Sequence, residues 1–581
     1  MQKSFLCYHQ TLQHMLESLE KLGKLFGEFK PYDTIEGDFV LVLNLDDKGN
    51  FLDFELEEFS KEKLDKYFYK DSGASNPPSW TPTLNLNLKE PQKTLKTAIK
   101  RLEVLADFGN LKIENLKNLN FEELTETLRE KLKEIPPKKK VIFTVKLNGR
   151  HIGEIEELKE GLEKFLEHRF SEKITSSEGV CSICKKLKKV FGEGLFPVKF
   201  YTLDKPNFIH GGFKRKEFVF PICYECGLKL KEGWNFVVRN LTFNFAGSIK
   251  FHLLPELVIE DEEKLKWLVE RRLLETAQKV NGLSERAKEK LEQDERRILK
   301  KISEEGNYFT VHLLFLKKKN KEERIKLYLY GIYPSRLKEL FEFKKYTEQL
   351  LGIDFNYSTV WDFFKENYER EFYEYVRSTF KGFPFNKILL LKVILEKLKQ
   401  LLEEKESLNS FELALKNALG VYLFSLLACG GLNMEEKNPN CLEKSESLEE
   451  FLNCFPLLRG GAEKGLFLLG VLTGKLLQIQ EGRLEGNKPF LKKLKGLKMR
   501  KGDFKNLFTE LVAKLEEYNQ AGEFPILTKK VKKLIEKTAQ YLLSCEDWKL
   551  SDKEANFIFA CGMGLSQRVF EILDKETREA G

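Results

Sequence analysis

Four cysteines carry the clearest chemistry in this chain. Cys181 and Cys184 form one Cys-x-x-Cys pair, and Cys223 and Cys226 form a second. Each pair sets two thiolates on one tight turn, aimed at a common point, and two pairs supply the four sulfurs of a closed tetrahedral zinc site. Four protein ligands leave no coordination position for water, so the expected Zn²⁺ is structural rather than catalytic. The insert between the inner cysteines is longer than in a minimal zinc ribbon, and reads as a small sub-domain stapled at its base. Within it, Phe196 to Leu203 and Glu217 to Ile222 read as strands joined by the loop from His210 to Lys216. Gly211 and Gly212 let backbone approach a partner closely, while Lys214, Arg215 and Lys216 are three consecutive cations suited to phosphates. An ordinary solvated hairpin tip accounts for the same residues.

Other candidate contacts are weaker. The loop from Ser72 to Trp80 contains Pro77 and Pro78 and exposes Asn76 and Trp80 to a possible ligand. Lys317, Lys318 and Lys319 sit on the turn of a predicted hairpin, and Lys492, Lys493, Lys495, Arg500 and Lys501 form a basic segment. Each is matched by the plain reading of a connector or a solvated face. Catalytic signatures are missing from the sequence. The seven histidines show no His-Asp doublet and no metal-ligand spacing, and there is no phosphate loop, dinucleotide fingerprint or nucleophile elbow. A noncatalytic part of an assembly is therefore expected.

The elements that must hold these residues follow from composition and periodicity. With 581 residues, several domains each bury a core. A net charge of +8 from 98 basic and 90 acidic residues fits local basic patches rather than a general polycation. Ten cysteines do not make a disulfide scaffold, so Cys7, Cys429, Cys441, Cys454, Cys545 and Cys561 are expected to be reduced. The N-terminus lacks a signal-peptide core, and the run from Val421 to Leu432 is too short to span a bilayer, which points to a cytoplasmic protein without membrane contact.

Leu12, Met15, Leu16, Leu19, Leu22 and Phe26 recur at helical spacing. Phe39 to Leu45 and Phe51 to Leu56 read as a hairpin, Pro91 to Glu134 as helix broken near Phe108 to Leu119, Val141 to Leu147 as a strand, and Glu154 to Phe170 as a helix. Trp234 to Leu254 alternates like strands, Glu262 to Ile302 reads as one charged helix, and Phe309 to Leu316 with Ile325 to Tyr330 as a hairpin. Pro334 starts a helix. Strands vanish beyond about residue 345, and Gly470 and Gly474 lie one turn apart where helices can approach closely. The fold class is α+β: a mixed N-terminal region with an inserted four-cysteine zinc sub-domain, then an all-α C-terminal helical bundle. The divisions are 1–176, the zinc sub-domain 177–240, 241–345 continuing the N-terminal domain, a helical linker region 346–433, and a small-subunit-like bundle 434–581.

The two cysteine pairs, the strand Val311-His312-Leu313-Leu314-Phe315 with Tyr333-Pro334-Ser335-Arg336-Leu337, and the helix from Phe467 to Gln480 together resemble the large subunit of the type I-B CRISPR Cascade, the zinc-knuckle Csh family. The resemblance implies a noncatalytic subunit at the base of a crRNA-guided complex. Such a subunit inspects target double-stranded DNA for the protospacer-adjacent motif, helps open the duplex and stabilise the R-loop, and supports recruitment of a separate helicase-nuclease. Its implied partners are crRNA, target DNA, and the backbone, guide-handle-binding and small subunits of Cascade. Gly430 and Gly431 can be encoded by a ribosome-binding sequence ahead of Met434, so Met434 to Gly581 is expected to be made separately as the small subunit as well, with Met434 as an ordinary loop residue the alternative. Two alternatives remain open: a stand-alone zinc-containing RNA- or DNA-binding accessory protein, and a metal-dependent nuclease whose carboxylates meet only on folding.

Overall fold

Two apolar runs form the centre of the first sheet. Phe39–Leu45 (β1) and Val141–Leu147 (β4) pair in parallel, and both are buried on nearly every residue because both faces of the pair are covered. Phe51–Glu58 (β2) adds antiparallel to β1, and the short Leu84–Asn85 (β3) and Arg150–His151 (β5) flank β4, giving the order β2-β1-β4-β3. This computed structural model describes every residue except 1, 28–31, 74–77, 199–214, 247–248, 275–293, 320–321, 404–407, 432–444, 522–525, 545–547 and 580–581. The chain divides into two compact units, Met1–Phe236 and Val237–Gly581.

The first unit holds helices Gln2–Phe26 (α1), Leu64–Tyr67 (α2), Pro91–Gly109 (α3), Phe121–Leu132 (α4), Glu156–Lys173 (α5) and Tyr224–Asn240 (α6). Leu12, Met15, Leu16, Leu19 and Leu22 are buried, as their spacing predicts. Helix α3 starts with Pro91 at its first turn and ends on Asn110 in the left-handed region, so the predicted break is a genuine helix end. It then crosses α5 at contact between backbones. A Cβ on Gly109 would lie 2.0 Å from the Glu157 carbonyl oxygen, and one on Gly161 2.1 Å from that of Leu105. Helices α1 and α6 cross the same way at Gly23 and Gly233. The third sheet, Ser176–Val180 (β6), Leu187–Phe191 (β7) and Ile222–Cys223 (β8), carries the cysteines.

In the second unit, Thr242–Ala246 (β9), Ile249–Leu257 (β10), Phe309–Lys319 (β11) and Glu322–Ile332 (β12) form an antiparallel sheet in the order β12-β11-β10-β9. Fully buried His312 bridges Tyr328, at 2.5 Å, and Glu256, at 2.9 Å, across three of these strands. Burial raises the Tyr328 pKa well above its usual value, so the phenol stays neutral. From Pro334 onward the described residues contain helices and no strands. The helix Gly461–Arg483 is buried almost all round and crosses Asp552–Gly564 backbone to backbone. A Cβ on Gly470 would sit 2.0 Å from the Phe559 carbonyl oxygen, and one on Gly562 1.9 Å from that of Phe467. The close approach expected at Gly470 and Gly474 is therefore real.

Several expectations are corrected. Glu217 to Ile222 is a 3₁₀ turn, Lys216–Phe218, leading into the two-residue β8, and not a full strand. Trp234 to Leu254 begins as the end of α6, whose last turns carry Trp234 and Val237 inward before the β9–β10 hairpin. Of the charged helix expected from Glu262 to Ile302, Glu262–Leu268 runs into a π-helical turn and Asp294–Ser303 is helical, while 275–293 lie outside the described residues. Helix takes over at Pro334, earlier than 345, because Tyr333 ends extended with proline next. The apolar run at Val421 belongs to a longer stretch, Ser410–Ala428, apolar and long enough by composition to cross a membrane, of which 67% is buried inside the protein. Cys454 is disulfide-bonded and not reduced. Phe196 to Leu203 and Met434 lie partly or wholly outside the described residues.

The α-helical crossing gives a direct test. Gly470→Ala and Gly562→Ala each force a methyl into a backbone carbonyl, and each is expected to destabilise the second unit by roughly 1–3 kcal/mol or more. Denaturant titration of the full chain measures this; an unchanged unfolding midpoint for both would refute the close crossing.

Candidate metal centre and basic hairpin

The first Cys-x-x-Cys pair closes the turn between β6 and β7. Lys185 occupies the left-handed region, with φ +60°, and its amide bonds the Cys181 carbonyl at 3.0 Å, while the Cys181 amide bonds the Lys186 carbonyl at 3.0 Å. Such a turn directs both sulfurs inward. The second pair straddles the start of α6: Cys223 ends β8, and Cys226 lies in the first helical turn, where unpaired amides favour negative charge. The Ser182 amide bonds the Pro221 carbonyl at 2.7 Å and ties the two turns together.

All four sulfurs lie within 4.8 Å of one another, and Cys184 Sγ and Cys223 Sγ are 3.9 Å apart. A tetrahedral ion with bonds of about 2.3 Å to sulfur requires edges of about 3.8 Å, so the cluster has the right size to hold a metal ion. Cys181, Cys223 and Cys226 are buried, with Cys184 partly covered. Hydrogen bonds from the Cys223 and Cys226 thiols hold the Cys181 pKa far below its usual range. That same interaction with Cys181 pushes Cys223 up to about 12 and raises Cys226 as well. One thiolate thus opposes ionisation of its neighbours. A bound dication reverses that balance, because it stabilises all four thiolates together.

The sub-domain fitted over this centre needs Gly192, where a Cβ would lie 1.8 Å from the Lys216 carbonyl oxygen. Of the predicted phosphate loop, Gly211, Gly212 and Lys214 lie outside the described residues, as does Asn76. Arg215 stacks on Phe218, 4.6 Å from the ring centroid, and its Nε donates to Glu217 Oε1 at 2.6 Å. Arg215 therefore already has a buried carboxylate partner, and its hydrogen bond is the main reason the Glu217 pKa is lowered. Lys216 is half-buried.

The other cations are scattered across the second unit and do not converge. Lys317 pairs with Glu369 at 2.8 Å, and the side chains of Lys318 and Lys319 lie outside the described residues. Lys493 pairs with Glu510 at 2.9 Å and Lys495 with Asp503 at 2.6 Å, whereas Lys501 lies over Trp548. Lys492 and Arg500 are exposed. Two of the five cations of that segment, Lys493 and Lys495, are thus paired with carboxylates.

Sequence reasoning missed another basic feature. Lys185, Lys186, Lys188 and Lys189 surround Leu187 on the knuckle and β7, immediately after Cys184. Leu187 is 72% exposed and faces Val180, 56% exposed, across the β6–β7 pair. Lys188 pairs with Glu225 at 2.7 Å and Lys185 with Glu17 at 4.0 Å, while Lys186 is exposed. The signal was the sequence Lys-Lys-Leu-Lys-Lys itself: a strand that turns a leucine to solvent between cations is not core-forming. A metal-braced hairpin carrying lysines and an exposed apolar pair can lie against a polyanion, its stems covering apolar surface while its charges meet phosphates.

The purified chain is expected to carry about one metal ion per four-sulfur cluster, read by elemental mass spectrometry. Cys181→Ser and Cys223→Ser should each abolish that stoichiometry and lower the melting temperature. Metal-free protein with unaltered melting would show that the sulfurs do without a cation.

Family comparisons agree with this architecture. The model of the CRISPR-associated protein TM1802 (cas_TM1802) N-terminal domain matches residues 15–164, the central domain 178–332, and the C-terminal domain 355–577. No curated protein matches the chain. The central match contains both cysteine pairs and the second sheet, and the C-terminal match contains the helices beyond Phe355. Since the three matches follow one another over nearly the whole length, the chain belongs to the CRISPR-associated protein TM1802 family.

Proposed function

We propose that this chain is the noncatalytic large subunit of a type I-B crRNA-guided surveillance complex, acting in the cytoplasm. The observation that carries the reading is the ordered match of three domains of one CRISPR-associated family along the whole chain. In this role the protein holds crRNA and the other Cascade subunits, recognises the protospacer-adjacent motif in duplex DNA, helps unwinding, and supports recruitment of a helicase-nuclease. Base pairing between guide and target reads the sequence, so the protein needs only backbone contacts and one short motif.

Physical features support this assignment of labour. The four-sulfur centre suits structural Zn²⁺, since thiolates favour a soft tetrahedral ion and no position remains for a reacting water. The basic β6–β7 hairpin offers backbone contacts without a reaction centre. His312, hydrogen-bonded to Tyr328 and Glu256, is fully buried in the second unit's sheet and presents nothing to a substrate.

Affinity purification from the native operon tests the reading. One class of repeat-derived small RNA and several partner proteins should copurify. A protein recovered alone, or with mixed nucleic acid, would instead support the stand-alone accessory reading, and Mg²⁺-dependent cleavage by the pure chain would support a nuclease. Replacing Lys185, Lys186, Lys188 and Lys189 by Ala should weaken binding of duplex DNA to the assembled complex and lower the salt slope by about 0.9 for each phosphate no longer neutralised. An unaltered slope would remove the hairpin from the interface.

A further inference from the structure

In the first unit, helices α3 and α5 cross at Gly109 and Gly161, and one arginine from each meets Trp80. The Arg101 guanidinium lies 5.1 Å from the Trp80 ring centroid and 6.0 Å from that of Phe165; the Arg169 guanidinium lies 5.5 Å from Trp80. Trp80 is itself fixed. Its amide donates to the Lys70 carbonyl at 2.8 Å, and its ring meets Phe165 edge-on at 5.5 Å, with Phe108 against the same phenyl group.

The charges around Trp80 do not balance. Arg169 Nη1 donates to Glu172 Oε2 at 2.7 Å, and that same carboxylate faces His168 at 3.5 Å. Arg101 has no carboxylate partner among the described residues, although it is half-buried. Burial first, and the neighbouring Arg169 charge second, depress the Arg101 pKa below the usual arginine value. Arg169 Nε is buried with no hydrogen-bond partner. A stability-driven arrangement would pair or separate two guanidiniums rather than stack both on one indole. Their N–H forks match the oxygens of a phosphodiester, which Arg binds bidentately. The Arg169 side chain is 41% exposed, so the pair opens onto the surface, where an extended polyanion can pass.

We propose that Arg101 and Arg169, oriented by Trp80, form a binding site for the phosphate backbone of a nucleic acid. The identity of the anion rests on the CRISPR reading above; the charge imbalance does not. Trp80 acts as a positioning residue, since its stacking holds both guanidinium planes without itself needing to touch the ligand. Guide RNA and target DNA share this backbone chemistry, and the experiment separates them.

Arg101→Gln, Arg169→Gln and the double variant of the full chain should be titrated with fluorescein-labelled duplex DNA, single-stranded DNA and RNA of one sequence, at several KCl concentrations. For the true ligand, the double variant should lower the slope of log affinity against log salt by about 1.8 for a duplex or about 1.4 for a single strand. The probe that shows this change identifies the source. Unliganded Arg101→Gln should fold and melt close to the wild-type temperature, because relief of a like-charge contact offsets the lost contacts with Trp80 and Phe165 and no ion pair is broken. If Arg169→Gln fails to fold for want of its Glu172 contact, Arg101→Gln alone carries the test, with half the slope change. A folded double variant that binds all three probes with the wild-type slope overturns the site while leaving the family-based reading intact. A reduced slope in a chain that copurifies with no guide RNA keeps the site and removes that reading.

Discussion

Four sulfurs held within 4.8 Å of one another form a cluster that can hold a metal ion, and a dication there would stabilise all four as thiolates at once. Without one, the Cys181 thiolate accepts hydrogen bonds from its neighbours and raises the pKa of Cys223 and Cys226. With one, the β6–β7 hairpin and the start of α6 become a single braced piece. What lies on that brace inherits its rigidity: Lys185 to Lys189, the exposed Val180–Leu187 pair, and the Arg215–Phe218 stack. A metal held there would fix the direction in which these cations are presented.

A second constraint recurs in helix packing. Gly109 with Gly161, Gly23 with Gly233, and Gly470 with Gly562 each let one helix backbone lie directly on another. Such crossings give up helix propensity and are strict about position, because any Cβ meets a carbonyl oxygen. They also fix geometry tightly. The Gly109–Gly161 crossing brings Arg101 and Arg169 to the same indole, Trp80, so a packing requirement in the core becomes a charge arrangement at the surface.

Much of this was legible in the sequence where local physics decides. β1 and β4 matched their predicted bounds because parallel strands buried on both faces are continuous apolar runs. The cysteine pairs, the Pro91 and Pro334 helix starts and the glycine crossing at Gly470 carry equally local signals. Trp234 to Leu254 misled because α6 buries one stripe of apolar residues and then passes straight into a hairpin, so a helical period and a strand period overlap. The local pairing of the candidate cations was hidden for another reason. Lys317, Lys493, Lys495 and Arg215 look free in sequence, yet each has an acidic partner, and several of those partners are distant in sequence. Arg101 and Arg169 looked like ordinary helix-surface residues, since their shared indole, and the absence of a carboxylate beside Arg101 among the described residues, arise only from the fold.

The central claim is that this chain meets nucleic acid through its first unit, on cations positioned by the metal centre and by the α3–α5 crossing. Ultraviolet cross-linking of the complex assembled from the native operon, followed by mass spectrometry of this chain, tests it most directly. The account predicts nucleotide adducts on peptides containing Trp80, Arg101 or Arg169 and on those spanning Cys181 to Phe191. Adducts confined to partner proteins, with none on residues 1–236 of this chain, would contradict it.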